Sequence, residues 1–180
     1  MEATGLRQKY LKLLPKLNDI VEQVEQKLSS LPADDFQYEV AIKPFDSLKH
    51  KLEHRHLDNP LELSDLVRGR LFFSNKLNFD DAIKQVKNLF KDQIINIKAK
   101  KEKDNGFEYF GVAHCDMCID GIRFELQIMT AEHRPFLPML HYCYEQHRYD
   151  KPSIGGMNAL RKINNGIYEH LKDLYYRLRK

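Results

Sequence analysis

The chain has 180 residues, a formal net charge of +3, and 42% hydrophobic and 31% charged residues. This length suits one compact domain, and the balance of residue types is that of a globular protein. No apolar run approaches the roughly 18 residues of a membrane helix, which excludes a membrane-spanning protein. The polar amino terminus lacks the pattern of a secretory signal, so we expect a cytoplasmic protein, although export by a signal-independent route leaves no mark.

The predicted elements begin with an amphipathic helix at the amino-terminal end. In chain order they are a helix over residues 10–31, a helix over 45–56, a strand over 66–73, a helix over 78–92, three strands over 94–102, 107–119 and 122–130, and helices beyond Pro135, the last over 155–180. Periodicity and turn signals support each element, and an Asp-Gly pair between the last two strands predicts a hairpin. This order predicts an α+β fold with a mixed, mainly antiparallel sheet flanked by helices. We expect a single domain over residues 1–180, with its amino-terminal helical part in residues 1–35.

Three cysteines argue against a disulfide framework and fit a reducing compartment. Cys115 and Cys118 have the spacing of half a zinc site. They lie on a predicted strand, where residues three apart point to opposite faces, and no second C-x-x-C motif exists. A zinc site is therefore the weaker interpretation.

The last predicted strand carries an unexpected pair of polar residues. Phe124, Leu126 and Ile128 alternate with charged and amide side chains, so one face is apolar. On the other face Glu125 and Gln127 stand where burial does not require them. The pattern raises the question of what this polar face serves.

A second group of charged residues precedes or enters the strand over 66–73. Asp65 stands directly before it, and Arg68 and Arg70 share one of its faces. Carboxylates on neighbouring strands with cations nearby are typical of sites that hold Mg²⁺ and a polyphosphate. Each piece also has a simpler interpretation, because Asp65 could be a turn residue and the arginines could form a cross-strand ion pair with Glu125.

Three more polar residues are spaced by four around the start of the helix over 45–56. Lys43, Ser47 and Lys51 are predicted to line one helical face. An ordinary solvated helix face is the alternative interpretation.

The joint order of these motifs resembles the synthetase domain of the RelA/SpoT family, which makes the alarmones ppGpp and pppGpp. The similarity spans residues 42–151, which would form the catalytic core. The matching positions are Lys43, Ser47, Lys51, Asp65, Arg70, Phe110, His114, Glu125 and Gln127. The resemblance implies a nucleotidyltransferase-like fold and transfer of pyrophosphate from ATP to the 3′-hydroxyl of GDP or GTP.

The resemblance also implies roles for the two carboxylates. Glu125 would accept the proton of the acceptor hydroxyl and share in binding Mg²⁺. Asp65 would be the principal Mg²⁺ ligand beside the ATP phosphates. Lys43, Lys51 and Arg68 would clamp phosphates, and Ser47 would donate a hydrogen bond to one of them.

The remaining matched residues are assigned to the bases and to support. Arg70 matches an arginine that stacks on adenine, and Phe110 matches an aromatic residue, usually tyrosine, that stacks on the acceptor base. His114 and Gln127 would orient Glu125 or contact the acceptor ribose.

Several positions depart from the family pattern. Ala41 replaces an arginine that would complete the adenine site, and Met129 replaces an arginine near the phosphates. Tyr109 and Phe110 replace the usual Gly-Tyr pair, which affects guanine recognition. No hydrolase domain or regulatory extension is present in the 180 residues, so oligomerisation, expression or an antitoxin would limit the activity.

Two alternatives remain beside the alarmone synthetase. The first is a toxin that pyrophosphorylates the 3′ CCA end of tRNA or an adenine nucleotide, for which basic residues would bind the tRNA backbone. These are Lys98, Lys100, Lys101, Lys103, Arg177, Arg179 and Lys180. The second is a nucleotide-binding module without catalysis, although two carboxylates beside a phosphate site argue against it. Glu145 and Arg148 are further candidates to reach the site.

Overall fold

The computed structural model describes residues 3–100 and 112–145, together with scattered helical positions between 162 and 177. The helices are α1 (Ala3–Leu28), α2 (Phe45–Arg55), α3 (Phe79–Leu89) and α4 (Leu137–Glu145). The strands are β1 (Phe36–Ile42), β2 (Val67–Phe73), β3 (Ile94–Lys100), β4 (Val112–Ile119) and β5 (Ile122–Thr130). Two 3₁₀-helices, Pro60–Glu62 and Ala131–Phe136, precede β2 and follow β5. None of the helices in the described ranges is long and apolar enough to cross a membrane.

The five strands form one sheet in the order β1-β2-β5-β4-β3. β2 and β5 are parallel, and the other three pairs are antiparallel. The predicted α+β class with a mixed, mainly antiparallel sheet is therefore confirmed. The parallel pair places Val67, at the start of β2, opposite Phe124 near the start of β5, so Asp65 lies beside the end of the sheet where β5 begins.

Strand β1 was not predicted, so the expected number of strands was too low by one. Its sequence, FQYEVAI, alternates between residues that face the core and more exposed ones, and it pairs along its whole length with β2. The polar composition of the exposed face hides the alternation, because Gln37 and Glu39 lower the hydrophobicity of a short segment.

Helices cover one face of the sheet and form the main core there. The apolar residues of β5 pack with those of β4 and β2 against α1 and α3; Leu17, Ile20, Val24, Phe79, Val86, Phe90, Phe124, Leu126 and Ile128 are all buried. On the opposite face a small cluster of Phe72, Val112, Met129 and Leu137 covers one end. The rest of that face carries the polar side chains and is open.

Two glycines have conformational or packing reasons. Gly121 has φ 74° and follows Asp120 with φ 50° in the β4–β5 turn, as the Asp-Gly pair predicts for a type I′ hairpin. Gly69 lies between the two arginines of β2, and a Cβ there would lie 2.6 Å from Leu126 Cδ1. A side chain at residue 69 would therefore have to displace Leu126 from its packed position.

The prediction of a strand over residues 107–111 and most of the predicted helix over 155–180 lie outside the described residues. The described positions between 162 and 177 are helical, as that prediction expects. Ile167 from this segment is buried in the main core.

Candidate active site

Asp65 is buried at the centre of a cluster of three cations. Lys43 Nζ lies 2.9 Å from Asp65 Oδ2, Lys51 Nζ 2.8 Å, and Arg68 Nη2 2.7 Å from the same oxygen. Arg68 Nε donates a second hydrogen bond to it at 3.1 Å. The other oxygen, Oδ1, is buried and has no hydrogen-bond partner among the described residues.

The turn between β1 and α2, helix α2 itself and the start of β2 bring these residues together. Lys43 follows β1 and precedes Pro44 at the start of α2, so it lies outside the helix on which it was predicted. Its backbone N–H donates to Leu66 O at 2.8 Å, which ties this turn to the residue after Asp65. Lys51 comes from the second turn of α2. The convergence explains why lysines at this spacing are half-buried or buried rather than solvated.

Burial and mutual charge set the ionisation of the cluster. Burial alone would raise the pKa of Asp65, but Lys43, Arg68 and Lys51 hold it well below its usual range. Burial lowers the pKa of Lys43 to about 8, although Asp65 opposes the shift. Burial also lowers the pKa of Lys51. At neutral pH the cluster therefore carries one negative and three positive charges.

Glu125 lies on β5 directly opposite Arg68 of β2 in the parallel register. Its Oε1 accepts a hydrogen bond from Gln127 Nε2 at 3.0 Å, and its Oε2 lies 3.7 Å from His114 Nδ1. Burial would raise the pKa of Glu125, but hydrogen bonds and charge from His114 and Gln127 lower it, against an opposing effect of the nearby Asp65 charge. The carboxylate is therefore ionised and able to accept a proton or a cation. The polar pair of β5 forms one hydrogen-bonded unit.

The two carboxylates, Asp65 and Glu125, suit a metal ion that is bound jointly by the protein and by the phosphate oxygens of a ligand. Asp65, two residues before β2, and Glu125 on the neighbouring strand β5 supply carboxylate oxygens from adjacent parts of the sheet. In the part of the chain that the structure describes, no three His, Cys, Asp or Glu side chains are grouped to hold a metal. Mg²⁺ fits this arrangement because it is commonly held by one or two carboxylates together with substrate phosphates.

Arg70 lies one step further along the same face of β2. Its Nη1 is 3.7 Å from Glu39 Oε2 of β1, and Arg134 Nη2 donates to Glu39 Oε1 at 2.8 Å. Arg134 also lies over the Phe72 ring, 5.2 Å from its centroid. The alternative of a cross-strand ion pair between Glu125 and Arg68 or Arg70 is wrong. Arg68 pairs with Asp65, and Arg70 pairs with Glu39.

Glu39 and Arg134 were missed by the sequence analysis. The signal for Glu39 was the alternation of β1, which places it on the same face as Ala41. Arg134 has no local signal, because only the path of the 3₁₀-helix after β5 brings it over the sheet. It adds a half-exposed guanidinium to the open face.

The other residues considered for the site are not part of the Asp65 cluster or lie outside the described residues. Ser47 is exposed on α2. Ala41 is exposed and opposite Arg68, while Met129 is fully buried in the small apolar cluster. Phe110, Tyr109, Lys101, Lys103, Arg148, Arg179 and Lys180 lie outside the described residues, as do the side chains of Lys100 and Glu145.

The weaker zinc interpretation gains no support. Cys115 is buried and Cys118 is half-buried, and they occupy alternate faces of β4. Burial raises the pKa of the Cys115 thiol to about 12, so this sulfur is a poor metal ligand at neutral pH.

Solved structures share this architecture over almost the whole chain. Small alarmone synthetase 1 from Bacillus subtilis superposes with a TM-score of 0.71 and 16% identity, covering 95% of this chain and 96% of that one. The chain has the small alarmone synthetase fold. A GTP pyrophosphokinase family protein from Streptococcus pneumoniae gives a TM-score of 0.58 at 19% identity, with 97% of this chain and 89% of that chain covered.

A chain in the complex between the Type VI effector Tas1 and its immunity protein shares the same fold. Its TM-score is 0.66 at 14% identity, with 96% of this chain and 99% of that chain covered. No model of a known protein family matches the chain, and no curated protein matches it in sequence. The fold expected from the RelA/SpoT resemblance is thus confirmed by structure at low identity.

Proposed function

We propose that this protein is an ATP-dependent pyrophosphokinase that transfers pyrophosphate to the 3′-hydroxyl of a guanine nucleotide. The observation that carries the proposal is the arrangement of Asp65, its three cations and Glu125 on the open face of a small alarmone synthetase fold. Small alarmone synthetase 1 from Bacillus subtilis has been crystallised with its product pppGpp and with AMPCPP. These neighbours support nucleotide substrates for the same fold.

The cation cluster would bind the triphosphate of ATP. Lys43, Lys51 and Arg68 carry three positive charges within hydrogen-bond distance of one carboxylate oxygen, and a triphosphate offers several charged oxygens that can accept hydrogen bonds from all three. Ser47, one helical turn from Lys51, would donate its hydroxyl to the same phosphates. Bound Mg²⁺ would neutralise charge on the phosphates and on the departing AMP, and Asp65 and Glu125 would hold it.

Glu125 would act as the general base. The acceptor 3′-hydroxyl attacks the β-phosphorus, and a new oxygen–phosphorus bond forms there. The bond from the β-phosphorus to the oxygen that bridges it to the α-phosphorus breaks, so AMP leaves with the electron pair. The hydroxyl proton passes to Glu125, which Gln127 and His114 orient through the contacts described above.

The bases would bind on either side of this centre. Arg70 presents a partly exposed guanidinium beside Glu39, a plane on which adenine can stack. Arg134 extends the same cationic surface from Glu39 toward Gln37, on the side away from Ala41. Phe110 would stack on the acceptor base, and that assignment stays a prediction.

The test is release of AMP from ATP and Mg²⁺ with GDP, GTP, ATP alone or deacylated tRNA offered as acceptors. AMP formed with GDP or GTP supports the proposal. AMP formed only with tRNA, or from ATP alone, would replace it with one of the toxin-type alternatives. Absence of AMP with every acceptor, in a folded protein that binds ATP, would support the binding-module alternative. Assembly as a homo-oligomer or with an antitoxin is a separate prediction.

A further inference from the structure

We propose that the three cations keep Asp65 closed to a divalent metal until a polyphosphate draws them away, so that metal binds with the polyphosphate and not before it. The inference rests on the proposed function, since it concerns the same polyphosphate and metal site.

Both oxygens of Asp65 are closed to an incoming ion. Oδ2 is contacted by Lys43 at 2.9 Å, Lys51 at 2.8 Å and Arg68 at 2.7 Å. Oδ1 is buried, with almost no surface of its own. A metal ion therefore has to displace at least one cation before it reaches an oxygen of this carboxylate.

Charge opposes a bare metal ion at the same point. The cluster has three positive charges and one negative charge, so a divalent cation entering it alone is repelled. A polyphosphate reverses this balance, because its oxygens attract the lysines and the guanidinium strongly. Once they turn to phosphate, Asp65 Oδ2 is free beside the negative charge of the ligand.

The three cations differ in how readily they can leave. The exposed fraction of the side chain is 40% for Arg68, 12% for Lys51 and 3% for Lys43. Arg68 also lies opposite Glu125 in the strand register, so its departure opens the space between the two carboxylates. We expect Arg68 to move first and Lys43 to remain near Asp65.

Reciprocity gives the proposal a measurable form. If polyphosphate opens the metal site, the metal must raise polyphosphate affinity by the same factor, and such couplings are commonly on the order of tenfold or more. Removal of one cation from Asp65 should then have opposite effects on the two ligands. Metal alone should bind more tightly, and polyphosphate alone should bind more weakly.

The experiment titrates Mn²⁺ alone into the protein and follows free Mn²⁺ by electron paramagnetic resonance. Mn²⁺ prefers the same oxygen ligands as Mg²⁺. Wild type is compared with Arg68→Gln, Lys51→Met and Lys49→Met. Lys49 is the matched control, because it lies on the same helix and pairs with Glu53 at 3.8 Å, away from Asp65.

We expect Mn²⁺ to bind about tenfold more tightly to Arg68→Gln and Lys51→Met than to wild type. Lys49→Met should match wild type, and Asp65→Asn should abolish the gain in a double variant with Arg68→Gln. Calorimetric titration of inorganic tripolyphosphate in EDTA should show weaker binding to the first two variants. Thermal unfolding checks each variant, and if Lys51→Met fails to fold, the more exposed Arg68→Gln carries the test.

The inference is overturned if Mn²⁺ alone binds wild type as tightly as Arg68→Gln. It is also overturned if the gain persists in the double variant with Asp65→Asn, because the metal would then lie elsewhere. None of these measurements requires turnover. If no acceptor supported AMP release, the proposed function would be refuted. Opposite effects of the variants on Mn²⁺ and tripolyphosphate binding would still support the displacement of the cations from Asp65 by polyphosphate.

Discussion

Strand β5 has one face that packs and one that carries charge, and successive residues alternate between them. Phe124, Leu126 and Ile128 are fully buried in the main core, while Glu125 and Gln127 stay partly exposed and bond to each other. The packed face fixes the backbone because its side chains have no room to move. The open face can therefore hold a charged pair in a defined position without burying it completely.

The same contrast holds for β2, which lies between β1 and β5. Gly69 and Leu71 face the core, whereas Arg68 and Arg70 point to the open face. The two faces thus differ in what a substitution should change: chemistry on one face and stability on the other. Neighbouring residues in the chain allow this difference to be measured.

The largest expected effect is on chemistry, from Glu125→Gln. The amide keeps the size of the side chain but cannot accept the proton of the acceptor hydroxyl, so we expect AMP release to fall about 10²- to 10⁴-fold. The unfolding temperature should remain close to that of wild type, because the residue is not part of the core. AMP release in the presence of the acceptor that supports it, with thermal unfolding in parallel, provides the measurement.

Asp65→Asn is a less selective companion to that variant. It should also abolish AMP release, but it leaves three cations without their shared carboxylate, and loss of one member of a buried charge cluster destabilises by about 3–5 kcal/mol. If both Glu125→Gln and Asp65→Asn produced AMP at the wild-type rate, the assignment of a catalytic site to this face would be wrong.

The next effect in size is on stability, from Leu126→Ala, one residue along the chain. Removal of this buried side chain leaves a cavity in the main core and should lower the free energy of unfolding by about 2–5 kcal/mol. Arg123→Ala, exposed on the open face of the same strand, should change it by less than about 0.5 kcal/mol. Urea denaturation measures both, and equal losses would show that the two faces do not differ in packing.

A smaller loss is expected for Gly69→Ala on β2. The added Cβ would lie 2.6 Å from Leu126 Cδ1, and overpacking of this kind costs about 1–3 kcal/mol. Gly5→Ala in α1 is the matched control: a Cβ meets nothing within 4 Å there. Because Gly5 lies in the first turn of α1, alanine should stabilise by less than the roughly 0.5–1 kcal/mol of a mid-helix site. Opposite signs in urea denaturation are expected, and a stabilising Gly69→Ala would contradict the close packing of β2 on β5.

The sequence predicted the packed face better than the open one. Regular alternation in residues 122–130 and the Asp-Gly turn are local signals, and both are present in the structure. The shared contact of Lys43, Lys51 and Arg68 with a single oxygen of Asp65 is not local, because it depends on the turn between β1 and α2. The spacing of four suggested one helical face, whereas Lys43 lies before the helix.

Strand β1 and Arg134 likewise could not be predicted from local sequence signals. Each depends on pairing or packing between distant segments: β1 becomes recognisable through its register with β2, and Arg134 through its hydrogen bonds to Gln37 and Glu39. Family resemblance supplied the order of the site residues, but it contained no information about side chains that this chain adds to the face.

The smallest perturbation compares the two faces of β4 through its cysteines. Cys115 is fully buried in the core, and burial raises its pKa to about 12, whereas Cys118 is half-buried on the open face. Because the thiolate is the reactive form, a thiol whose pKa is raised far above the solution pH reacts slowly even when a reagent reaches it.

In a Cys143→Ser background, iodoacetamide at pH 8 should label Cys118 in the folded protein and Cys115 only after unfolding in urea. Peptide mass spectrometry assigns the sites, and labelling should leave the unfolding temperature unchanged because Cys118 is outside the core. Equal labelling of the two thiols in the folded state would mean that the helices do not exclude the reagent from the core face of β4. The packing of that face could then not be what holds Glu125 in position.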